Sequence, residues 1–197
     1  MKILVKDLIK SYNQIRLFHL NELVLESGKT YCLMGASGSG KTTLMRILLG
    51  LEQADTGTVT GVTGCRLNAV FQEDRLCETF SPLDNIMMVL PRGTEKSGVL
   101  ADMETILPAE CLKRPVLTLS GGMKRRVAIC RAMLAPSDGI IMDEPFTGLD
   151  GDTKRLVIRY MKERLAGRML LVSTHQEEDT ELLKGQVLQL TGGNAND

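Results

Sequence analysis

The chain has 197 residues, of which 43% are hydrophobic and 24% are charged, and its formal net charge is zero. This balance is typical of a soluble globular protein with one domain, or with one domain and a subdomain. A neutral chain with 4% aromatic residues and no Trp lacks the basic field and the stacking surface that are typical of nucleic-acid-binding proteins.

The first third of the chain predicts several strands and one helix. Apolar runs predict strands at residues 3–9, 20–25 and 30–34, followed by a helix at 43–49 that stops at Gly50. Two further strands are expected at 56–61 and 67–71, the second ending at Gln72. This early run of strands predicts an antiparallel part of the fold.

From residue 81 onward the pattern is helical at first and then alternates between strands and helices. Ser81 before Pro82 is a good helix start, with the serine as N-cap and the proline at the first position. Further helices are predicted at 98–107, 121–134, 152–165 and 176–183, and strands at 139–143, 169–173 and 186–190. This alternation predicts a mainly parallel sheet covered on both faces, and the polar tail 191–197 is expected to be disordered.

The cysteines and the apolar runs indicate in which cellular compartment the protein is expected to work. The chain has 5 cysteines, an odd number, and no two have the C-x-x-C spacing, which argues against a disulfide framework and against a zinc site. No signal peptide is recognised, and no apolar run approaches the roughly 18 residues that a membrane span requires. We therefore expect a reducing, cytosolic compartment, and a partner if the protein works at a membrane.

The most informative segment joins the strand at 30–34 to the helix at 43–49. From Gly35 to Thr42 it matches the phosphate-loop pattern G-x-x-x-x-G-K-[ST] at every fixed position. Glycines let backbone N–H groups point inward, and the helix N-terminus adds about half a positive charge. Lys41 suits the terminal phosphates and the Thr42 hydroxyl suits Mg²⁺. The flanking strand and helix disfavour a plain flexible loop, but the motif does not separate a kinase, a GTPase and an ATPase.

Two other segments narrow the chemistry. A predicted strand ends in Asp143, followed by Glu144, where carboxylates face the crevice in which such sheets bind ligands. Asp143 can hold Mg²⁺ through water, and Glu144 can polarise an attacking water. Ser120, Gly121 and Gly122 precede a predicted helix and form a second anion cradle. Taken separately, the acidic pair is more typical of a solvated turn or a helix N-cap, and the serine–glycine run is more typical of an ordinary helix cap.

Five motifs occur together: the loop from Gly35 to Thr42, LSGG at 119–122, DEP at 143–145, TGLD at 147–150 and a late His175. Over nearly its whole length the chain thereby resembles the nucleotide-binding domain of the ATP-binding cassette (ABC) transporter family. The resemblance implies an α/β fold of the P-loop NTPase (RecA-like) type, with a mainly parallel sheet core, an antiparallel β subdomain and a short helical signature subdomain. The single domain would place core and β subdomain at 1–76 and 136–190, the helical subdomain at about 77–135 and the tail at 191–197.

The resemblance also implies how ATP is held. Two cassettes pair head to tail, and each ATP lies between the phosphate loop of one subunit and the serine–glycine segment of the other. In one subunit the implied ATP contacts are Tyr12 (stacking on adenine), Gly35, Ala36, Ser37, Gly38, Ser39, Gly40, Lys41, Thr42, Thr43 and Gln72. Ser120, Gly121 and Gly122 would contact the partner's ATP in trans, and Asp150 would cross the dimer interface.

Catalysis and metal binding follow from the same resemblance. Glu144, His175 and Lys41 would be the catalytic residues, and Mg²⁺ would be held by Thr42, Gln72 and Asp143. The implied partners are a second ATP-binding subunit, here a second copy of the chain, and separate transmembrane permease subunits; no nucleic acid is expected. The protein would then be a cytoplasmic ATPase, peripheral on the inner face of the cell membrane, that drives transport through the permease.

Some features depart from the family pattern. Met123 stands where the family most often has Gln, and the segment between Gln72 and Leu119 is short for the helical subdomain. Phe80, Met87 and Met88 are candidates to line a groove for the membrane partner, with core packing as the alternative.

Two rival functions remain at this stage. One is a soluble cassette protein acting on DNA or the ribosome, which usually carries two cassettes or a long insertion. The other is a different phosphate-loop enzyme, such as a small-molecule kinase, against which the LSGG and DEP motifs argue. The run 70–76 is similar to that of importers of small oxyanions. The sequence leaves open the substrate, the direction of transport, the identity of the membrane partner and whether the dimer has identical halves.

Overall fold

The computed structural model describes residues 1–192, and the chain from 193 to 197 lies outside the described residues, together with most of the tail expected to be disordered. In chain order the elements are β1 (Lys2–Tyr12), β2 (Ile15–Glu26), β3 (Thr30–Met34), α1 (Lys41–Leu48), β4 (Thr56–Thr60), β5 (Leu67–Val70), α2 (Pro82–Met87), α3 (Lys96–Glu104), α4 (Gly121–Leu134), β6 (Gly139–Asp143), α5 (Gly151–Arg164), β7 (Met169–Ser173), α6 (Glu177–Leu183) and β8 (Gln186–Gln189).

These elements form two compact units. The first comprises Met1–Leu67, Ser137–Asp143 and the described chain from Gly167 to residue 192; the second comprises Asn68–Pro136 and Glu144–Ala166.

The first unit contains an antiparallel sheet in the strand order β2-β1-β4. β1 and β2 are joined by Asn13 and Gln14, whose φ angles of 51° and 66° are those of a type I′ hairpin turn. Both strands are longer than the predicted 3–9 and 20–25. The difference arises because the turn carries no glycine, so the usual sequence signal for such a hairpin is missing.

The first unit also contains parallel strands in the order β6-β7-β3-β8. Every residue of β6 and β7 is buried, as expected for the apolar strands of a parallel sheet. The register pairs Ser173 with both Leu33 and Asp143, so β3, β6 and β7 end at the same edge. Residues at the ends of these three strands therefore lie close together, and parallel sheets bind ligands at this edge.

The second unit is built around α4, which packs against α2 and α5. Val127 and Ile129 of α4 and Met161 of α5 are fully buried in its core. α4 has the predicted limits, and α2 begins with the predicted serine cap and first-turn proline. The helix predicted at 98–107 is observed as Lys96–Glu104, and two short 3₁₀ turns follow.

The predicted α/β organisation, with a parallel sheet, an antiparallel sheet and helices, is thus present. Within residues 1–192, every helix is too short or too polar to cross a membrane. All 5 cysteines are reduced, and Cys32 and Cys130 are buried thiols, as predicted.

Candidate functional site

The loop between β3 and α1 requires glycine at three positions. Gly38 and Gly40 have φ angles of 79° and 96°, a region that other residues rarely enter. A Cβ on Gly35 would lie 2.6 Å from the Ser39 Oγ, and a Cβ on Gly40 would lie 2.5 Å from the Phe18 ring. The backbone of this loop therefore follows a path that side chains would block.

The loop also presents groups that suit a phosphate. Lys41 Nζ donates hydrogen bonds to the carbonyl oxygens of Gly35 and Ala36, at 2.7 and 3.1 Å, so the ammonium group lies across the loop. The hydroxyl of Ser39 is buried and has no hydrogen-bond partner among the residues that the structure describes. Such a group costs about 1–3 kcal/mol, which a phosphate oxygen bound to the loop would relieve. Ala36, Ser37, Gly38 and Thr42 are exposed, and Thr43 is half-buried.

Thr42 and Asp143 form the oxygen-rich part of the site. Thr42 Oγ1 donates to Asp143 Oδ2 at 2.6 Å, and Ser173 Oγ donates to Asp143 Oδ1 at 2.5 Å. Within the described part of the chain, no group of three His, Cys, Asp or Glu side chains could hold a metal ion. Mg²⁺ usually takes one or two protein oxygens and completes its shell with phosphates and water, so this pair fits a Mg²⁺ that arrives with a nucleotide.

His175 lies in the loop between β7 and α6 and is exposed. The preceding residue, Thr174, is buried, and its N–H donates to the Leu33 carbonyl at 3.1 Å while its hydroxyl bonds to Asp179. Because Leu33 is near the end of β3, these contacts anchor the loop of His175 next to the strand that leads into Gly35. The structure thus brings His175 to the same sheet edge as the phosphate loop.

Tyr12 lies at the end of β1, beside the hairpin turn, and is 48% exposed. Its hydroxyl donates to Glu52 Oε1, and Lys10 Nζ lies 5.1 Å from the centre of its ring. The hydrogen bond from Tyr12, followed by that from Lys10, lowers the pKa of Glu52. Sequence analysis missed Glu52, since nothing in the surrounding sequence indicates that its carboxylate reaches Tyr12.

In the second unit, Ser120 is the N-cap of α4, and its Oγ accepts a hydrogen bond from the Met123 N–H at 3.3 Å. A Cβ on Gly121 would meet nothing within 4 Å, whereas a Cβ on Gly122 would lie 3.4 Å from a Leu149 methyl group. The plainer interpretation of this segment, a helix cap, is therefore correct. The contact with a phosphate in trans stays a prediction, which the open N-terminus of a 14-residue helix supports.

Glu144 and Asp150 lie in the connection from β6 to α5. Glu144 has a φ of 47°, and it accepts a hydrogen bond from the Thr147 hydroxyl at 3.3 Å. A left-handed conformation in a residue with a Cβ costs free energy and is more frequent at functional sites. Asp150 is the N-cap of α5, with its two oxygens 2.9 and 2.7 Å from the Thr153 N–H and hydroxyl, and these hydrogen bonds lower its pKa.

Gln72 lies in the segment after β5, and its side chain is exposed. The main chain around it is held by Arg125 of α4, which donates to the carbonyl oxygen of Phe71 at 2.6 Å and to that of Gln72. Arg125 Nε also lies 3.2 Å from Asp74 Oδ1, in an ion pair whose angle is too poor for a hydrogen bond. Burial raises the pKa of Asp74, although Arg125 opposes the shift.

A second arginine of α4 continues this arrangement. Arg131 donates to the carbonyl oxygens of Asp74 and Arg75, at 3.3 and 3.0 Å. Four of the five carbonyl oxygens from 71 to 75 are therefore bound by the helix that begins at Ser120. We call Arg125 and Arg131 the α4 arginines. Sequence analysis missed them, although an arginine on the buried side of a helix is a signal that could have been noticed.

A surface groove of about 450 Å³ runs beside α2 and is lined by Phe80, Asp84, Met87 and Met88. Phe80 and Met88 are about half exposed. Asp84 is fixed at the groove by the Ser81 hydroxyl, which donates to it at 2.6 Å. Phe80, Met87 and Met88 are the predicted groove candidates, and the binding of a membrane partner at this groove stays a prediction.

Comparisons with known proteins bear on these features. A family model described as ABC transporter matches residues 19–147. The aliphatic sulfonates import ATP-binding protein SsuB 1 of Rhodococcus jostii (strain RHA1) is 36% identical over 193 residues, covering 91% of this chain and 75% of that protein. The sulfate/thiosulfate import ATP-binding protein CysA of Escherichia coli (strain K12) is 33% identical over 213 residues, covering 98% of this chain and 58% of that protein.

Among solved structures, the dimeric ABC transporter cassette MJ0796 is similar to this chain, with a TM-score of 0.83. The sequence identity is 24%, and the match covers 95% of this chain and 94% of that chain. At that identity the likeness shows the fold. It confirms the predicted P-loop NTPase fold with its parallel core, antiparallel part and helices.

Proposed function

The chain belongs to the ABC transporter family, and we propose that it is the ATP-binding and ATP-hydrolysing subunit of a transporter whose membrane-spanning part consists of separate chains. The observation that carries this proposal is the joining of Thr42, Asp143 and Ser173 at the edge of the sheet where the phosphate loop begins. This arrangement suits a nucleotide phosphate and its metal ion. Membership of the family supports the proposal that the bound nucleotide is ATP and that this site hydrolyses it.

In the first unit, Lys41 and the N–H groups of the phosphate loop bind the phosphates of ATP. Thr42 and Asp143 would hold Mg²⁺, assisted by Gln72, and the ion would neutralise the charge that develops during phosphoryl transfer. Tyr12 stacks on the adenine ring. The exposed position of its ring supports this role.

Hydrolysis uses water as the nucleophile. Glu144 orients the water and accepts its proton while the water oxygen bonds to the γ-phosphorus and the bond from that phosphorus to ADP breaks. His175 contacts the γ-phosphate through its ring. The products are ADP and inorganic phosphate.

The working form is a dimer in which each ATP is shared. Ser120, Gly121 and Gly122 contact the γ-phosphate bound by the other copy, and Asp150 crosses the interface. ATP then holds the two copies together, and its cleavage releases them. This alternation between a closed and an open dimer is the motion that drives transport through the membrane-spanning chains.

The membrane partner docks at the groove beside α2, on the inner face of the cell membrane. The groove combines apolar side chains, Phe80, Met87 and Met88, with the carboxylate of Asp84. This chemistry fits a short amphipathic helix of a permease that carries a basic residue beside its apolar face. Replacement of Met88 by Asp should abolish sedimentation with membranes that contain the permease and leave ATP hydrolysis in solution intact; unchanged sedimentation would contradict this docking site.

Complementation between two inactive variants tests the shared site. Lys41→Ala and Ser120→Ala should each abolish hydrolysis, since every site in either homodimer lacks one essential group. When the two are mixed, the heterodimer has one site with an intact Lys41 and an intact Ser120. With random pairing of subunits, about a quarter of the native activity should return.

Two results would overturn the proposal. If both groups acted within one chain, the mixture would stay inactive at all concentrations. If the native chain released no phosphate from ATP in the presence of Mg²⁺, the ATPase assignment would be wrong.

A further inference from the structure

We propose that Glu52 is a positioning residue for the nucleotide base, because it holds the ring of Tyr12 in the orientation in which a purine can stack on it. The inference rests on the proposed function, since it takes ATP as the ligand of this site. It adds a residue that acts on the base through another side chain and that has no place in the phosphate chemistry.

The first observation is that the ring of Tyr12 is fixed from two sides. Its hydroxyl donates to Glu52, and the Lys10 ammonium lies 5.1 Å from the ring centre. Lys10 is itself fixed, since its Nζ is 3.3 Å from Glu52 Oε1 and donates to the Gln53 carbonyl at 2.8 Å. Yet the tyrosine is 48% exposed, so part of its ring remains open to a ligand.

The second observation is that the same carboxylate is tied to the phosphate-binding helix. Glu52 Oε2 lies 3.3 Å from Arg46 Nε on α1, the helix that begins at Lys41. The Leu51 N–H donates to the Arg46 carbonyl at 2.8 Å, which anchors the chain just before Glu52. One side chain therefore connects the residue proposed for the base with the helix proposed for the phosphates.

Two physical effects follow from this arrangement. A side chain already held in its bound orientation loses less conformational entropy when a ligand arrives, so the ligand binds more tightly. A cation near a ring also favours stacking of an electron-rich purine on the ring. The hydrogen bond to the Tyr12 hydroxyl needs only an acceptor oxygen, whereas the placement of Lys10 beside the ring is favoured by a charged Glu52 carboxylate, whose pKa is lowered by these contacts.

A purely structural role for Glu52 is the alternative, since it also joins β1 to α1. The two roles differ in which ligands they affect. Loss of the base-positioning role weakens only ligands that carry a base, whereas loosening of the whole unit weakens phosphate binding as well. Inorganic tripolyphosphate has the phosphates without the base and serves as the probe that separates the two.

The experiment measures the Kd values of ATP and tripolyphosphate by calorimetry, and kcat and KM for ATP, on native protein, Glu52→Ala and Tyr12→Phe. Tyr12→Phe keeps the ring and removes the hydroxyl. Both variants should raise the Kd and KM for ATP about 3- to 10-fold and leave kcat and the Kd of tripolyphosphate unchanged. Glu52→Gln, which can still accept the hydroxyl hydrogen bond, should restore part of the loss. Glu22→Gln removes an exposed carboxylate from the same sheet and should have no effect.

The outcomes separate this inference from the proposed function. If Glu52→Ala weakens ATP and tripolyphosphate equally, or if Glu52→Ala costs as much affinity in a Tyr12→Ala background as in the native chain, the positioning role is wrong while ATP binding stands. If the native chain binds neither ligand, the proposed function fails and this inference fails with it. Should Glu52→Ala not fold, Tyr12→Phe tests the same contact.

Discussion

The hydroxyl of Thr42 donates to the carboxylate of Asp143 across 2.6 Å, although 101 positions separate the two residues in the chain. The contact joins the first turn of α1 to the last residue of β6. It places an alcohol and a carboxylate where one divalent cation can bind both. Removal of the alcohol should therefore damage metal-dependent chemistry more than it damages the fold.

Thr42→Ala should lower Mg²⁺-dependent phosphate release by at least about 100-fold, since the ion that would neutralise the developing charge loses a ligand. Thr42→Ser keeps the hydroxyl and is the matched control, which should retain most of the activity. Phosphate release is measured as a function of Mg²⁺ concentration, together with the melting temperature of each variant. Native Mg²⁺ dependence in Thr42→Ala would show that this hydroxyl is no ligand.

Glu144→Gln should bind ATP normally and lose hydrolysis by about 10²- to 10⁴-fold, because the amide cannot accept a proton from water. The variant should then accumulate as an ATP-bound dimer. Size-exclusion chromatography with light scattering, with and without Mg–ATP, measures this directly. Glu163→Gln, on the exposed side of α5, is the control and should remain as active as the native chain. Full turnover by Glu144→Gln would remove its assignment as the base.

Gly121→Ala isolates the contact in trans, because a Cβ at this position meets nothing within 4 Å in its own chain. The variant should fold as stably as the native chain and yet hydrolyse ATP much more slowly, since the methyl group would occupy the space of the partner's nucleotide. Gly98→Ala is the matched control: it also has open space, it lies within α3, and it should gain up to about 1 kcal/mol without any change in activity. Equal activity of the two variants would argue against the shared site.

The sequence predicted the buried elements best. β6, β7 and α4 have their predicted limits because continuous apolar runs, caps and prolines specify them locally. The hairpin at Asn13 and Gln14 was missed, since its conformation is set by strand pairing and by no local glycine. Glu52 was missed for a similar reason, because the partner of a charged side chain is decided by tertiary structure.

The ion pair between Arg125 and Asp74 should be essential for stability. Arg125→Met removes the donors to two carbonyl oxygens and leaves the Asp74 carboxylate without its nearest cation. We expect a loss of about 2–4 kcal/mol in the free energy of unfolding, measured by urea titration. Arg125→Lys keeps the charge without the forked geometry of the guanidinium group. The free energy of unfolding of this variant should lie between those of the native chain and of Arg125→Met.

The ion pair between Arg125 and Asp74 should also make the free energy of unfolding depend on pH. Because burial raises the pKa of Asp74, the folded state binds the proton at a higher pH than the unfolded state does. The cost of burying this carboxylate is therefore relieved as pH falls through the raised pKa. The destabilisation by Arg125→Met should accordingly be smaller at a pH below the raised pKa than at pH 7, and Asp74→Asn should remove that pH dependence. A loss that is independent of pH would contradict the role of this carboxylate.

The buried and the exposed cysteines should differ in the reactivity of their thiols. Burial raises the pKa of Cys130 to about 12 and that of Cys32 to about 11, so very little thiolate forms at pH 8. Cys77 is exposed. Iodoacetamide followed by mass spectrometry should find Cys77 modified while Cys130 and Cys32 stay intact, and all three should react in urea. Rapid native-state labelling of Cys130 would show that the core of the second unit opens readily.

The α4 arginines bind main-chain oxygens, and every amino acid carries one. Substitutions of the exposed residues Gln72, Glu73 and Arg75 can therefore alter the outward chemistry of this stretch while the course of its main chain stays the same. Point mutations can revise these side chains without rebuilding the helix that supports the main chain beneath them.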